Sequence, residues 1–440
     1  MKPILTILTT CLLIVGPAFA AAKKPNIVLI LADDLGYETI GANGGTSYKT
    51  PYIDQLARTG VRFEHCYAQP LCTPSRVQLM TGIYNVRNYV DFGSLDRKQT
   101  TFAHLLKKQG YATGVAGKWQ LGREPDSPRH FGFDEACLWQ HTRKSTVHLD
   151  TRYVNPQLEI DGKPVDYTRG EFAPDVVTDY VCQFIERNKD RPFFAYYPMI
   201  LTHCPFVPTP DSPDYDPTSK GSPTYKGDPK YFGDMMAYMD KHVGKIVARL
   251  ESLGLRENTL IIFTGDNGTD QPIVSLMNGQ PVAGGKGQPT DAGTRVPLIA
   301  NWPGVVARGV VSRDLVDFTD FLPTLCAVAG TPVPADLKID GRSFLPQLRG
   351  EKGQPREWIY SWYSRKGGPT AKQEWARNQR YKLHANGAFH DIGKDALEKK
   401  PITDPSPEEI WIRDDLRKAL DRFKDARPPV WAKPATKLGE

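Results

Sequence analysis

Cys72-Thr73-Pro74-Ser75-Arg76, followed by Leu79-Met80-Thr81-Gly82, is the segment of this chain best equipped for chemistry. Thr73 can cap a helix and Pro74 can take its first position. Cys72 is therefore expected at a helix N-terminus, where the free N–H groups and the helix dipole favour developing negative charge. Asp33-Asp34 and Asp266-Asn267 supply hard oxygen donors. Such a set suits Ca²⁺ first and Mg²⁺ second, with no His/Cys cluster at zinc spacing. Lys118 and Lys286 each follow glycine, and His203 closes an apolar run. Taken singly, an Asp pair is usually a turn, a lysine a solvated charge and a histidine structural. Together, at the ends of successive apolar runs, they are the first sign of one shared site.

The order of these segments carries a resemblance. C-x-P-S-R followed by L-x-T-G resembles the signature of type I sulfatases, within the alkaline phosphatase superfamily. Pro25-Asn26-Ile27-Val28 leading to Asp33-Asp34-Leu35-Gly36 resembles the family's opening strand and metal carboxylates. Gly117-Lys118-Trp119-Gln120-Leu121-Gly122, Thr202-His203-Cys204-Pro205-Phe206 and Thr264-Gly265-Asp266-Asn267-Gly268 resemble later blocks in the same order. So do Gly284-Gly285-Lys286-Gly287, Gly293-Thr294-Arg295-Val296-Pro297 and Arg380-Tyr381-Lys382-Leu383. The match runs from about residue 25 to 395.

The resemblance implies a sulfuric ester hydrolase. Cys72 would be oxidised by a formylglycine-generating maturation enzyme to Cα-formylglycine, whose hydrate attacks sulfur. One divalent cation would sit on Asp33, Asp34, Asp266, Asn267 and residue 72. Arg76, Lys118 and Lys286 would offset sulfate charge, with Arg76 also holding the hydrate. His203, with Lys286, would be the acid for the leaving oxygen. Lys118, His203, Lys286 and His141 are the expected substrate contacts. One position departs from the family: Gln120 stands where it usually has His. That His is thought to take the proton whose loss expels sulfate, and an amide cannot act as a base near neutral pH. His141 and Lys118 are possible substitutes.

Three other readings compete. A phosphoester or phosphonate hydrolase of the same superfamily would share the scaffold, though often with two metals. A secreted glycan-binding pseudoenzyme would account for Gln120 but has no use for an intact Cys72 motif. A Cys-His hydrolase using Cys72 and His203 directly leaves the Asp cluster unexplained.

Four apolar runs must position these groups: Asn26 to Ala32, Tyr111 to Ala116, Pro192 to Ile200 and Thr259 to Thr264. They read as buried parallel strands, each ending in a chemically able residue. Ligands of open α/β sheets bind beyond such strand ends. Helices are expected from Pro51 to Gly60 with Thr50 as cap, over Thr101 to Gln109, over Tyr231 to Leu253, and over Asp317 to Leu325. The fold class is α/β: a large, mostly parallel mixed sheet sandwiched by helices, alkaline-phosphatase-like. Strands at Glu357 to Ser364, Arg380 to His384 and Gly387 to Ile392, then a helix near Glu408 to Ala426, form a small antiparallel C-terminal subdomain. The division is 1–20 leader, 21–350 catalytic domain and 351–440 C-terminal subdomain.

Residues 1–20 read as a cleavable export signal, with Lys2, a short apolar run and Ala18-Phe19-Ala20. No later segment is apolar enough to span a membrane, so an exported chain, periplasmic or secreted, is expected. Six cysteines outside the leader show no disulfide framework, and at most one bridge is expected. With 440 residues, 40% hydrophobic and a net charge of +6, the chain is neither disordered nor a general nucleic-acid binder. The substrate class is a sulfated small molecule or glycan. Specificity would lie in loops 135–153 and 211–230.

Overall fold

The computed structural model of the chain describes residues 23–139, 141–142 and 152–430. The leader at 1–20, most of the 135–153 loop beyond Trp139 and the last ten residues lie outside the described residues. Twelve strands precede residue 318. They are β1 (Asn26–Ala32), β2 (Val61–Tyr67), β3 (Ala112–Lys118), β4 (Glu135–Trp139), β5 (Gln157–Ile160), β6 (Lys163–Asp166), β7 (Phe193–Pro198), β8 (Thr259–Gly265), β9 (Val274–Met277), β10 (Gln280–Ala283), β11 (Leu298–Asn301) and β12 (Val310–Asp317). All but the β9–β10 hairpin join one ten-stranded sheet in the order β12-β2-β11-β8-β1-β7-β3-β4-β5-β6. Its centre, from β8 to β4, is parallel. β11 and β5 run against their neighbours, making the sheet mixed.

The unbroken apolar run of β1 follows from cover on both faces. Ile27, Leu29 and Leu31 enter one core layer, Val28, Ile30 and Ala32 the other. Register then aligns the strand ends: Leu31 pairs with Thr264 on one side and Pro198 on the other. The residues just past β1, β7 and β8 therefore emerge together at one edge.

The C-terminal sheet is antiparallel, in the order β13 (Ile359–Tyr363), β14 (Gln373–Arg377), β15 (Tyr381–His384) and β16 (Phe389–Asp391). Tyr360, Leu383, Phe389 and Leu416 of the helix Pro407–Asp421 share the core layer of Ile27 and Leu29. The apolar interior is thus continuous between the two sheets.

Several details differ from expectation. Lys118 is the last residue of β3 and does not lie beyond it. Gly117 (φ +126°) allows this, because a Cβ there would lie 1.9 Å from the Pro198 carbonyl oxygen. The helix Cys72–Thr81 begins at Cys72 itself, with Leu71 in the cap position, so Thr73 is no cap; its hydroxyl accepts from Gly93 N. The Thr50 hydroxyl likewise does not cap Pro51–Arg58 but bonds Asp54 Oδ1 at 3.0 Å. The six described thiols are all free and buried, so the possible bridge is absent among them. The helix Ala173–Arg187 and the strands β2, β4–β6, β9–β12 and β14 are additional to the elements that the apolar runs mark.

Candidate active site

Asp33 follows β1 directly. In a strand, successive side chains point to opposite faces. Asp34 breaks that alternation by adopting φ +59°, in the left-handed region, so both carboxylates turn into one site. Asp34 N donates to Asp266 Oδ1 at 3.0 Å, tying the end of β1 to the end of β8. Asn267 Nδ2 donates to Asp34 Oδ1 at 2.9 Å. Behind them Thr269 bonds the buried Glu38 and accepts from Gly36 N, fixing the two loops to each other.

Cys72, at the first turn of its helix, is 2% exposed. One ligand atom from each of Asp33, Asp34, Cys72 and His203 lies within 4.8 Å of the others. Both Asp33 oxygens and Asn267 Oδ1 are buried without a hydrogen bond. Oxygen donors held this way fit a divalent cation, which would fill those open valences. Asp266 is turned partly elsewhere: its Oδ2 accepts from Arg76 Nη2 at 2.9 Å.

Three cations face the three carboxylates. Lys118 Nζ lies 2.7 Å from Asp33 Oδ2, paired by charge but off hydrogen-bond geometry. Lys286 Nζ lies 2.5 Å from Asp34 Oδ2 and 3.2 Å from His203 Nε2. Arg76 is fully buried, donates to the Lys118 carbonyl at 2.8 Å and leaves Nε unpartnered. Burial opposes ionisation of Asp33, but Lys118, Arg76 and Lys286 outweigh it and hold the carboxyl below its ordinary range. Burial raises Asp34, and burial with Asp33 alongside pushes Asp266 up to about 7. Burial also lifts the Cys72 thiol to about 11 despite Lys118, so the thiol is not a ready nucleophile. His203 is held well below its usual value by burial and by Lys286, Arg152 and Lys118.

The fold thus gathers Asp33, Asp34, Cys72, Arg76, Lys118, His203, Asp266, Asn267 and Lys286. Gln120 follows β3 with φ +57° and a buried, unpartnered Oε1. His141 is not drawn into the group; it is buried beside Glu159, its Nδ1 4.0 Å from Oε2. Two neighbours come from the two loops expected to carry specificity, 135–153 and 211–230, although no motif singled either of them out. Arg152, stacked 4.4 Å from the Trp139 ring, contacts His203 Nδ1. Tyr225, 60% exposed, stands edge-on to His203 at 6.3 Å. Neither lies in a patterned block.

The family model described as Sulfatase matches residues 25–331, spanning every residue of this cluster. The chain belongs to the sulfatase family. The sulfatase is 34% identical to human arylsulfatase A over 79% of this chain and 72% of that protein. It is 33% identical to mouse N-acetylgalactosamine-6-sulfatase over 77% of this chain and 68% of that one. A second family model, described as N-sulphoglucosamine sulphohydrolase, C-terminal, matches residues 289–425. Among solved structures, Ps i-CgsB in complex with k-i-k-neocarrahexaose superposes with a TM-score of 0.76 at 27% identity, covering 94% of this chain and 96% of that one. The phosphonate monoester hydrolase of Agrobacterium radiobacter, at 22% identity and TM-score 0.66 over 92% and 96%, shares the fold. The chain is a sulfatase enzyme and hydrolyses sulfate esters. No helix among the described residues is long and apolar enough to cross a membrane.

Proposed function

We propose that this sulfatase is an exported enzyme that removes sulfate from a sulfated carbohydrate, using residue 72 as Cα-formylglycine and one Ca²⁺. The observation that carries the reading is the set of buried, unfilled oxygens on Asp33 and Asn267 beside Cys72. Asp33, Asp34, Asp266 and Asn267, with residue 72, would hold the ion. Bound there, it would polarise the ester by drawing charge from a sulfate oxygen. Formylglycine, installed by a maturation enzyme, supplies a hydrated aldehyde as nucleophile. The high pKa of the unmodified thiol favours this over direct Cys72–His203 attack.

The chain's own groups do the rest. Lys118 and Lys286 meet the sulfate oxygens, and Arg76 braces Asp266 and the end of β3. Lys286, 3.2 Å from His203 Nε2, is the charged member of that pair and the proton source for the leaving oxygen; neutral His203 orients it. Tyr225 offers an exposed ring to a sugar face. The carbohydrate assignment is supported by the likeness to Ps i-CgsB bound to k-i-k-neocarrahexaose. Residues 21–350 would carry the chemistry and 351–440 the accessory sheet.

Two measurements test the reading together. Protein made with a maturation enzyme should yield a residue-72 peptide with the mass of the aldehyde or its hydrate. The same preparation should release many sulfates per chain from sulfated oligosaccharides. Active protein carrying only the thiol would sink the mechanism; release of phosphate or phosphonate esters in preference to sulfate would sink the substrate class.

A further inference from the structure

A cavity of ≈ 440 Å³ opens between the C-terminal sheet, Val86 and the segment after the helix Pro407–Asp421. That is within the size range of ligand pockets, about 300–1,000 Å³. It shares no lining residue with the Cys72 cluster. Its wall carries Lys372, Lys424 and Arg427 against one carboxyl, Glu374. Glu374 is already engaged: it accepts the Tyr360 hydroxyl at 2.5 Å, and burial raises its pKa.

Arg427 is the informative residue. Its guanidinium lies 4.5 Å from the Trp362 ring. Nε donates to Gly368 O at 2.9 Å, and Nη1 to Asn85 O and Val86 O at 3.3 and 3.2 Å. Nη2 is buried and has no partner. Arg356 and Arg377, which serve only to hold this chain together, use all three of their nitrogens. On the same wall Gln373 Oε1 is also buried and unpartnered. A half-buried guanidinium held in place by three backbone carbonyls, with two exposed lysines on the same wall, selects an oxyanion. A nearby amide acceptor selects a hydroxyl.

We propose that this cavity is a second, non-catalytic binding site for an anionic sugar unit. Arg427, Lys372 and Lys424 take its sulfate or carboxylate, and the Gln373 amide takes a sugar hydroxyl. The inference rests on the sulfated-glycan reading above. A chain anchored here raises the effective concentration of its other units at Cys72, so long chains are preferred to short ones.

The test uses the full chain as Cys72→Ala, loaded with Ca²⁺, and a heparin-derived hexasaccharide bearing both sulfate and carboxylate, in about 0.15 M salt to screen weak surface contacts. Native mass spectrometry and calorimetry should find two hexasaccharides per chain, only one displaced by 4-nitrophenyl sulfate. The Lys372→Gln/Lys424→Gln double variant should lose the undisplaced one, with affinity there falling tenfold or more. No bound hexasaccharide, a single site fully displaced by the ester, or a second site indifferent to the double variant would each overturn the proposal. Displacement of the second hexasaccharide by an equal concentration of inorganic sulfate would reduce it to a free-oxyanion site and overturn the sugar assignment. If the active-site reading fails instead, the ester displaces nothing while the Lys372/Lys424-dependent site remains.

Discussion

Two groups of buried charge stand at the same edge of the main sheet, one past β1 and β8, the other past β12. In the second, Asp317 Oδ1 accepts from Gln78 Nε2, Thr319 N and the Thr319 hydroxyl at 2.7–2.8 Å. Asp320 takes both Nε and Nη2 of Arg356, whose Nη1 reaches the Tyr84 hydroxyl. None of the fully buried polar atoms of Asp317, Asp320 and Arg356 lacks a partner. In the first, both oxygens of Asp33, Lys118 Nζ, Arg76 Nε, Asn267 Oδ1 and Gln120 Oε1 are buried and unbonded. Folding alone would close such valences, because an unsatisfied buried polar group costs about 1–3 kcal/mol. One cluster is built for the protein's own stability. The other keeps its open valences for a ligand.

The largest effect should come from Asp33→Asn. It removes charge from the open cluster while keeping shape, so turnover should fall by about 10³-fold or more. The Ca²⁺-dependent rise in melting temperature should vanish, and the metal-free melting temperature should fall as well, because Lys118 and Arg76 lose the buried charge that faces them. Undiminished Ca²⁺ stabilisation in the variant would show that Asp33 is no ligand and that the comparison is misdrawn.

Arg356→Leu should do the opposite. It strands Asp320 in the interior, and breaking a buried pair from one side costs about 3–5 kcal/mol. Denaturant midpoints should drop accordingly, while turnover per folded molecule holds. A loss of turnover at intact stability would mean the closed cluster is also part of the catalytic apparatus.

A pH series sharpens the contrast further. Burial, with Asp320 beside it and Arg356 opposing, raises Asp317 to about 7. A carboxyl raised in the folded state binds its proton more tightly there than in the unfolded chain. Its contribution is therefore fully present below about pH 4 and is lost as pH rises to about 7, at up to roughly 1.4 kcal/mol per pH unit. Asp317→Asn should flatten the fall in stability between those limits. An identical slope in both proteins would place the titration elsewhere.

The open cluster was far more legible in the sequence than the closed one. Asp33, Lys118, His203 and Asp266 end or follow strands buried on both faces, so each closes an apolar run that stands out by composition. The helix Cys72–Thr81 has no apolar stripe, because all ten residues are buried and its polar ones find internal partners such as Asp317. Only its sequence motif marked it. β14 (Gln373–Arg377) escaped because its buried charge is paired across the chain, Arg377 with Asp291. β2 carries Arg62 and Glu64 on one half-covered face and His65 among the apolar residues of the other, which blurs the run. Arg152 reaches His203 from a stretch with no pattern to read. The ion pairs that close the second cluster join residues 36 apart, a separation that no local rule detects.

The smallest effect concerns Gln120, whose open acceptor lies outside the set of residues that would hold the cation. Its backbone is left-handed and its buried Oε1 has no partner; the motif resemblance implies a histidine base at this position. An amide accepts a hydrogen bond but not a proton at neutral pH. If release of sulfate is the slow step for that reason, leaving-group release in the natural enzyme should begin with a burst equal to the enzyme present and then slow. Gln120→His introduces a group titrating near neutrality. The burst should shrink, steady turnover should rise a few-fold, and its pH profile should gain an ascending limb between about pH 6 and 7 as the imidazole loses its proton. A variant with no burst, no gain and an unchanged profile would assign Oε1 to substrate contact, as an acceptor for a sugar hydroxyl. In that case Gln120→Glu, which keeps the acceptor and adds charge, should raise KM more than it lowers kcat.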